Sequence, residues 1–291
     1  MSSFSKSAEM VSLIVPLYNG KKYISNVIEM VRKNKEYLRE NDSLLDVELV
    51  FVNDSPWDEI TKEEPHDITI KWLDNDSNVG IHQSRINGIK AAEGERVVFL
   101  DQDDEIEPNY VYSQYKNLGD GFAVICNGIK EGKRGSGIIY KDNLKASLIN
   151  KQTIYLLAAN QIVSPGQCMI RKSEIPEEWL KYPMHKNGSD DLYLWLLLLA
   201  RGKRFIYNQE CLYHHVDVGD NPSNDLRKMC ESDAEMCRIL RNTGSIPETM
   251  IKKRERLIEY IQKAGFKSRG NMALNLQYPD VAILKLFAYY I

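Results

Sequence analysis

The N-terminal part of the chain alternates short apolar runs with amphipathic segments. The apolar run Val11–Leu17 ends at Tyr18-Asn19-Gly20, which predicts a buried strand followed by a turn. Apolar residues then recur at helical spacing, so we expect an amphipathic helix from Lys22 to about Glu40. The same criteria predict strands at Glu48–Val52, Ile68–Leu73 and Arg96–Leu100, and a helix at Ile81–Ala92.

Strands that alternate with helices favour right-handed β-α-β units. The predicted fold class is therefore α/β, with a mostly parallel central sheet flanked by helices. Ligands of such sheets bind beyond the carboxyl ends of the strands. Asn53–Asp54 and Asp101–Asp104 both follow predicted strands directly, so we expect them to share one crevice.

The C-terminal half has a less regular pattern. Strands are predicted at Phe122–Cys126, Gln167–Ile170 and Arg204–Tyr207, and helices at Asp191–Arg201, from Asn224 to about Arg241 and from Pro247 to about Lys263. The composition shifts near Asp217–Ser223, which predicts a boundary between a main domain, residues 1–220, and a helical C-terminal extension, residues 221–291. The stretch Val216–Ser223 is rich in Gly, Asp, Asn and Pro, and it is also a candidate lid.

Composition excludes several classes of protein. The 291 residues carry a net charge of −3 and the 38 Lys and Arg are spread along the chain, so no nucleic-acid partner is expected. The five cysteines are odd in number and form no C-x-x-C pair, which argues against a disulfide framework or a zinc site and for a reducing compartment. Without a signal-peptide pattern at the N-terminus, we expect a cytoplasmic protein, with peripheral contact to the inner face of the cell membrane left open.

The acidic cluster Asp101-Gln102-Asp103-Asp104 is the main candidate for chemistry. Asp101 and Asp103 are two residues apart, so in extended backbone their side chains face the same side. Neighbouring carboxylates repel each other unless a positive charge lies between them. A hard divalent cation, Mn²⁺ or Mg²⁺, would suit these oxygen ligands. The alternative is a solvated acidic turn before Pro108.

The cluster is one of four landmarks that occur in order between Val11 and Pro108. The landmarks are Val15-Pro-Leu-Tyr-Asn19, Val52-Asn-Asp-Ser55, the stretch from Asn78 to Gly88 that contains Arg85, and Val98-Phe-Leu-Asp-Gln-Asp-Asp104. Together they resemble the donor half of family 2 glycosyltransferases, which have a GT-A fold. The resemblance implies an inverting enzyme that moves a sugar from a UDP-sugar donor to a hydroxyl of a glycan or a lipid-linked saccharide. The donor half would span about residues 11–108 and the acceptor half about 109–220.

The resemblance also implies roles for individual residues. Donor-binding roles fall on Pro16, Tyr18, Asn53, Asp54, Arg85, Asp101 and Gln102. Asp54 would accept a hydrogen bond from a uracil N–H, Asp101 would approach the ribose, and Asp103 would hold the metal. The chain departs from the family pattern at Asn53, where Asp is frequent, and at Ser55-Pro56, where Gly-Ser is frequent.

A second acidic pair lies in Gly188-Ser-Asp190-Asp191-Leu-Tyr-Leu-Trp195. It resembles the family stretch that carries the catalytic base, which implies that Asp191 is the base and that Asp190 lies nearer the helix cap or the acceptor. The alternative is that Ser189 or Asp190 only caps a helix. His214 and His215 resemble the family position that completes the metal or diphosphate site. Of the two we favour His215.

The apolar tail, Ala282–Ile291, allows two interpretations. It packs on the core or on a second subunit, giving a homodimer through the C-terminal helices, or it attaches to a membrane surface. Two other functions are considered. A sugar nucleotidyltransferase is expected to carry a Gly-rich loop after its first strand, whereas this chain has only Gly20 there. A catalytically silent GT-A-like binding module is expected to have lost its base or metal ligands.

Overall fold

The protein is described by a computed structural model, which covers residues 9–62, 65–131, 135–216 and 225–290. Its strands are β1 (Met10–Leu17), β2 (Asp46–Asn53), β3 (Thr69–Asp74), β4 (Arg96–Phe99), β5 (Glu105–Ile106), β6 (Ala123–Lys130), β7 (Gly137–Ile138), β8 (Cys168–Arg171) and β9 (Ile206–His215). Its α-helices are α1 (Ile24–Glu40), α2 (Ile81–Ala91), α3 (Tyr110–Leu118), α4 (Asn143–Ser147), α5 (Gln152–Leu157), α6 (Glu177–Lys181), α7 (Asp190–Ala200), α8 (Leu226–Thr243), α9 (Glu248–Lys263), α10 (Met272–Gln277) and α11 (Pro279–Tyr290).

The chain forms two compact units. The first comprises the described residues within Met1–Ile129, Pro165–Glu174 and Ile206–Val216, and the second those within Lys130–Ser164, Ile175–Phe205 and Asp217–Ile291. The predicted division at residue 220 and the candidate lid, apart from Val216, lie outside the described residues. Both therefore stay predictions.

The first unit is built on one sheet with the strand order β3-β2-β1-β4-β8-β6-β9-β5. Strands β1, β2, β3 and β4 pair in parallel, whereas β8 pairs antiparallel with β4 and β6, and β5 pairs antiparallel with β9. Strands β1 and β2 are buried almost throughout, as expected for parallel strands covered on both faces. The sheet is thus parallel where β-α-β units alternate and antiparallel where β8 pairs with β4 and β6.

The register of the parallel strands brings their carboxyl ends together. Leu17 of β1 is level with Asn53 of β2, and Asn53 is level with Asp74 of β3. The backbone N–H of Leu100, just after β4, donates to the carbonyl oxygen of Ile14 in β1. The polar residues that follow each of these strands therefore emerge at one edge of the sheet.

Strand β9 corrects a sequence prediction. The apolar pattern predicted only a short strand at Arg204–Tyr207, whereas the strand runs from Ile206 to His215. Polar residues in its middle conceal it, and α3 satisfies them: the side-chain amide of Asn208 donates to the Ser113 hydroxyl, and that hydroxyl donates to Glu210. The two histidines are consequently part of the sheet and not of a loop after it.

The second unit is mainly helical. Helix α5 packs against α7, α9 and α11. Leu284 and Ala288 of α11 pack against a buried cluster of Leu148, Ile154 and Ala158, so one face of the apolar tail lies on the core of this unit. None of the helices among the described residues has the length and hydrophobicity that crossing a membrane requires.

Candidate active site

Asp54, the residue after β2, organises the loop that leads into α2. One carboxylate oxygen accepts hydrogen bonds from the Asn75 side chain at 2.9 Å and from the Val79 N–H at 2.8 Å. The other accepts from the Gly80 N–H at 2.9 Å. Gly80 has φ of +85°, in the region that favours glycine, which lets its N–H point at the carboxylate. A carboxylate has about four lone-pair sites, and these three donors fix the orientation of the Asp54 carboxylate.

Sequence reasoning missed the amide network around Asp54. Asn75 donates to the hydroxyl of Ser84 at 3.0 Å and accepts from the side chain of Asn87 at 2.8 Å. The three residues are buried or half-buried, and they tie the loop after β3 to helix α2. The sequence does contain a sign of this network, because Asn75 directly follows β3 just as Asp54 directly follows β2.

Two other residues predicted to bind the nucleotide-sugar, Pro16 and Asn53, contact neighbouring strands at this edge of the sheet. Pro16 is buried in β1 and level with Val52 of β2. The Asn53 side chain donates to Asp74 at 3.2 Å and accepts from the Ser55 N–H at 3.0 Å. Asn53 therefore braces the ends of β2 and β3.

Tyr18 is half-exposed where β1 ends, and Gln102 holds its backbone. The Gln102 side chain accepts from the Tyr18 N–H at 3.0 Å and donates to the Tyr18 carbonyl at 3.2 Å. The exposed rings of Tyr18 and Trp57 meet edge to face, with centroids 6.1 Å apart. A Cβ at Gly20 would lie 2.3 Å from Oε1 of Gln102, so a larger residue there would displace the Gln102 side chain from the Tyr18 backbone. Gln102 thus shapes the turn from which the Tyr18 ring projects.

Arg85 on α2 is buried and pairs with Asp101. Its Nη2 atom lies 2.6 Å from Asp101 Oδ1, while the Asp101 side chain remains 26% exposed. The pair fixes the first carboxylate of the acidic cluster and places a positive charge beside it.

Asp104 connects the acidic turn to β9. It is 1% exposed and accepts hydrogen bonds from the Tyr213 hydroxyl and, at 3.0 Å, from the Val216 N–H. It also lies 3.0 Å from Nδ1 of His215. These contacts hold the turn against the sheet.

The carboxyl group of Asp103 is perturbed by its surroundings. Burial, followed by the charges of Asp104 and Asp101, raises its pKa to about 6. A group with this pKa is poorly stabilised as an anion, and a bound cation would relieve the repulsion. The donor set therefore fits a hard divalent cation. No group of three or more His, Cys, Asp or Glu side chains within the described ranges forms a preassembled metal site, however.

His214 and His215 have different partners because neighbouring residues of a strand face opposite sides. Nε2 of His214 lies 2.7 Å from a carboxylate oxygen of Glu107. Nδ1 of His215 faces the buried Asp104, and the charge of His215 also acts on Asp103. His215 is therefore the histidine that the structure associates with the acidic cluster.

The second acidic pair begins helix α7 in the second unit. Asp190 is buried, and its carbonyl oxygen accepts from the indole N–H of Trp179 at 2.8 Å. The Asp191 side chain is half-buried, with one oxygen 2.6 Å from the Leu192 N–H and the other 2.8 Å from the Asn160 amide nitrogen. Ser189 is the N-cap residue, but its side chain makes no capping hydrogen bond. Asn160 was not predicted, since nothing in its local sequence marks it as a partner of Asp191.

A comparison of the chain with models of protein families tests the resemblance to family 2 glycosyltransferases. The model of glycosyl transferase family 2 matches residues 12–179, which is more than half of the 291 residues. The chain belongs to glycosyl transferase family 2. The match contains both the parallel strands and the acidic turn, as the four landmarks predicted.

Curated relatives of this family 2 member include bacterial glycosyltransferases. It is 35% identical over 122 residues to the putative glycosyltransferase EpsH of Bacillus subtilis, covering 40% of the chain and 33% of EpsH. It is 23% identical over 211 residues to the poly(ribitol-phosphate) beta-N-acetylglucosaminyltransferase TarS of Staphylococcus aureus, covering 70% of the chain and 35% of TarS. The chain thus spans about a third of the length of these relatives.

Solved structures confirm the predicted GT-A type of α/β fold. A crystal structure of S. aureus TarS 1–349 in complex with UDP matches with a TM-score of 0.55 and 17% identity, over 96% of this chain and 80% of that one. The mannosyltransferase PcManGT from Pyrobaculum calidifontis, in complex with GDP-Man and Mn²⁺, matches with a TM-score of 0.56 and 17% identity, over 96% and 81%. At this identity the likeness concerns the fold alone.

Proposed function

We propose that this family 2 member is an inverting glycosyltransferase that moves a sugar from a UDP-sugar to a hydroxyl of a glycan or a lipid-linked saccharide. The observation that carries the proposal is the convergence of Asp54, Arg85 and the acidic turn at the carboxyl ends of parallel strands, inside the region that matches the family. UDP as the nucleotide is supported by the structure of TarS in complex with UDP.

The proposed donor site uses residues of the first unit. Asp54 is assigned to an N–H of the base, and the three donors that it accepts from hold its carboxylate in place. The exposed ring of Tyr18 offers an apolar face beside it. The guanidinium of Arg85 supplies the positive charge that a diphosphate requires. Asp101, held by Arg85, is assigned to the ribose.

A divalent cation, Mn²⁺ or Mg²⁺, is proposed to bind at Asp103 and His215. A cation would stabilise the Asp103 carboxylate, whose pKa is raised by burial and then by the charges of Asp104 and Asp101. An imidazole whose Nδ1 is oriented by a carboxylate is a frequent metal ligand, and Asp104 orients His215 in this manner. When bound, the cation would supply positive charge to the departing diphosphate. The structure of PcManGT in complex with GDP-Man and Mn²⁺ supports this choice.

Asp191 is proposed as the general base in the second unit. Inversion in one displacement requires that the acceptor hydroxyl loses its proton as it attacks the anomeric carbon, and a fixed carboxylate can accept that proton. Hydrogen bonds from the Asn160 side chain and the Leu192 N–H orient the Asp191 carboxylate. Asp190 is buried and is assigned to the structure of the turn and the approach to the acceptor.

The first experiment measures UDP release from a panel of UDP-sugars, with Mn²⁺, with Mg²⁺ and with a chelator, in the presence of saccharide acceptors. Asp191→Asn is expected to lower kcat by about 10²- to 10⁴-fold while UDP affinity persists. The matched control is Asp225→Asn, which changes an exposed carboxylate at the N-cap of α8 and should leave kcat unchanged.

The two alternative functions give different results in the same assay. A silent binding module would bind UDP without turning over any donor. A nucleotidyltransferase would form UTP when pyrophosphate is added to a UDP-sugar. Normal turnover by Asp191→Asn would contradict the assignment of the base.

A further inference from the structure

Helix α8 holds the loop that leads into the acidic pair. Glu235 accepts hydrogen bonds from the backbone N–H groups of His185 at 3.2 Å and Lys186 at 2.7 Å. The Ser232 hydroxyl donates to the carbonyl oxygen of Lys186 at 3.1 Å. Glu235 and Ser232 are both buried. The loop is therefore fixed through its backbone to a helix more than 40 residues later in the chain, as the sequence separations of 49 and 46 residues show.

Ser189 extends this attachment up to the acidic pair. A serine at the N-cap ordinarily accepts a hydrogen bond from the first turn of its own helix. Ser189 makes no such bond, and its hydroxyl donates to Oδ1 of Asp233 on α8 at 2.8 Å. Both residues are buried, with exposures of 0% and 3%. The residue directly before Asp190 is thus attached to α8.

Asp233 is in turn held by Arg254 on α9. Arg254 Nη2 lies 2.5 Å from Asp233 Oδ2, and Nη1 donates to the carbonyl oxygen of Tyr155 in α5 at 2.6 Å. Arg254 is 6% exposed. The Asp233 carboxylate thus accepts from Ser189 through one oxygen and from Arg254 through the other, which defines its position.

Asn160, which donates to Asp191, follows shortly after α5. The segment of α5 and the residues after it therefore makes two relevant contacts. The carbonyl oxygen of Tyr155 accepts a hydrogen bond from Arg254, and the Asn160 side chain donates one to the Asp191 carboxylate. The chain of contacts from Arg254 through Asp233 and Ser189 fixes the backbone of the first turn of α7, while Asn160 fixes the side chain.

We propose that Asp233 and Arg254 are positioning residues for the acidic pair Asp190–Asp191. They act through Ser189 and contact no substrate themselves. The inference rests on the proposed function, in which Asp191 accepts the proton of the acceptor hydroxyl. The geometry of the base then depends on one buried ion pair between helices α8 and α9.

The decisive variant is Ser189→Ala, which removes the hydroxyl donor and leaves the Asp233–Arg254 pair intact. A misplaced catalytic group lowers the rate of the chemical step, so kcat for UDP release is expected to fall about 10- to 100-fold. The KM for the UDP-sugar is expected to stay within about twofold, because the donor residues belong to the first unit. Both constants are measured in the whole chain, residues 1–291, well below its melting temperature.

The matched control is Arg241→Gln. Arg241 on α8 pairs with Glu248 and Glu255 of α9, at 2.9 Å and 2.8 Å, so it joins the same two helices, but its side chain is 40% exposed. This variant should keep the wild-type kcat. An equal fall of kcat in Ser189→Ala and Arg241→Gln would overturn the proposal, since general loosening of the helices would explain both.

A second pair of variants keeps the test independent of Ser189. Arg254→Lys retains a charge beside Asp233, so its kcat is expected to stay close to the wild-type value. Arg254→Gln removes the charge, so its kcat is expected to fall while the KM stays unchanged. Equal kcat values in these two variants, or a wild-type kcat in Ser189→Ala, would overturn the positioning role. Failure of the proposed function is recognised separately, because Asp191→Asn would then turn over normally.

Discussion

Arg85 Nη2 lies 2.6 Å from Oδ1 of Asp101, which joins helix α2 to the turn after β4 through a charge pair. The guanidinium carbon also lies 5.9 Å from the centre of the Phe99 ring. The arginine side chain is 3% exposed, so its orientation is fixed before any ligand arrives. A preoriented cation loses less entropy on binding a phosphate than a mobile one.

Arg85→Gln is expected to weaken UDP binding at least about tenfold and to lower the free energy of unfolding by about 3 kcal/mol, because the Asp101 carboxylate loses its charge partner. The UDP affinity and the stability of Arg85→Lys should lie between those of Arg85→Gln and the wild type, since lysine keeps the positive charge but lacks the planar guanidinium group. Calorimetric titration with UDP and chemical denaturation measure the two effects. Unchanged UDP affinity in folded Arg85→Gln would contradict the assigned role.

Asp103→Asn is expected to abolish activity and yet to stabilise the metal-free protein above pH 6. A carboxyl group whose pKa is raised on folding, here to about 6, makes the folded state less stable at higher pH, because its ionisation is unfavourable there. Mn²⁺ should raise the melting temperature of the wild type and leave that of Asp103→Asn unchanged. Thermal unfolding at pH 7.5, with and without Mn²⁺, tests both expectations. An equal Mn²⁺ effect on the two proteins would place the metal elsewhere.

Glu48, buried in β2, predicts a pH dependence of stability away from the site. Burial opposes its ionisation. Hydrogen bonds from Ser12 at 2.5 Å, from Lys71 and from the N–H groups of Glu93 and Gly94 nevertheless lower its pKa below 4.5. A carboxyl group with a lowered pKa contributes its full stability above the unfolded pKa, and this contribution is lost as the pH falls through the folded pKa.

Glu48→Gln should therefore lower the free energy of unfolding by about 2 kcal/mol at pH 7, with a difference that shrinks below pH 4.5. Glu93→Gln is the matched control, because Glu93 also pairs with Lys71, at 2.7 Å, but its side chain is 70% exposed. Urea denaturation between pH 3 and 7 measures the difference. A difference that is constant over this range would show that the charge of Glu48 is not the cause.

The sequence predicted those parts of the structure that depend on local pattern. The alternation of apolar runs and helices identified β1 to β4, and the rule for strand ends placed Asp54 and Asp101 at one edge of the sheet. The full length of strand β9 was not predicted, because hydrogen bonds from α3 satisfy its polar residues. Such a contact joins residues as far apart in sequence as Ser113 and Glu210. Asn160 and Asp233 escaped for the same reason, since each acquires its role from a partner that is distant in sequence.

The two histidines show where pattern and structure meet. The sequence did not decide which of His214 and His215 is the metal ligand, because adjacent residues fit a family landmark equally well. Their place in β9 separates them: His214 faces Glu107 at 2.7 Å, and His215 faces the buried Asp104 at 3.0 Å. Only His215 is therefore oriented by a group of the acidic cluster.

His215→Ala is expected to raise the Mn²⁺ concentration required for half-maximal UDP release at least about tenfold, because losing even a group that only orients a metal ligand costs about 10- to 100-fold. His214→Ala should leave that concentration unchanged, since its imidazole contacts Glu107 outside the cluster. The two variants remove the same chemical group from neighbouring positions of one strand, so each controls for the effect of the other on the stability of β9. The measurement is a Mn²⁺ titration of UDP release at a saturating donor concentration. If His214→Ala shifted the titration and His215→Ala did not, the ligand would be His214, and the association of His215 with Asp104 would be purely structural.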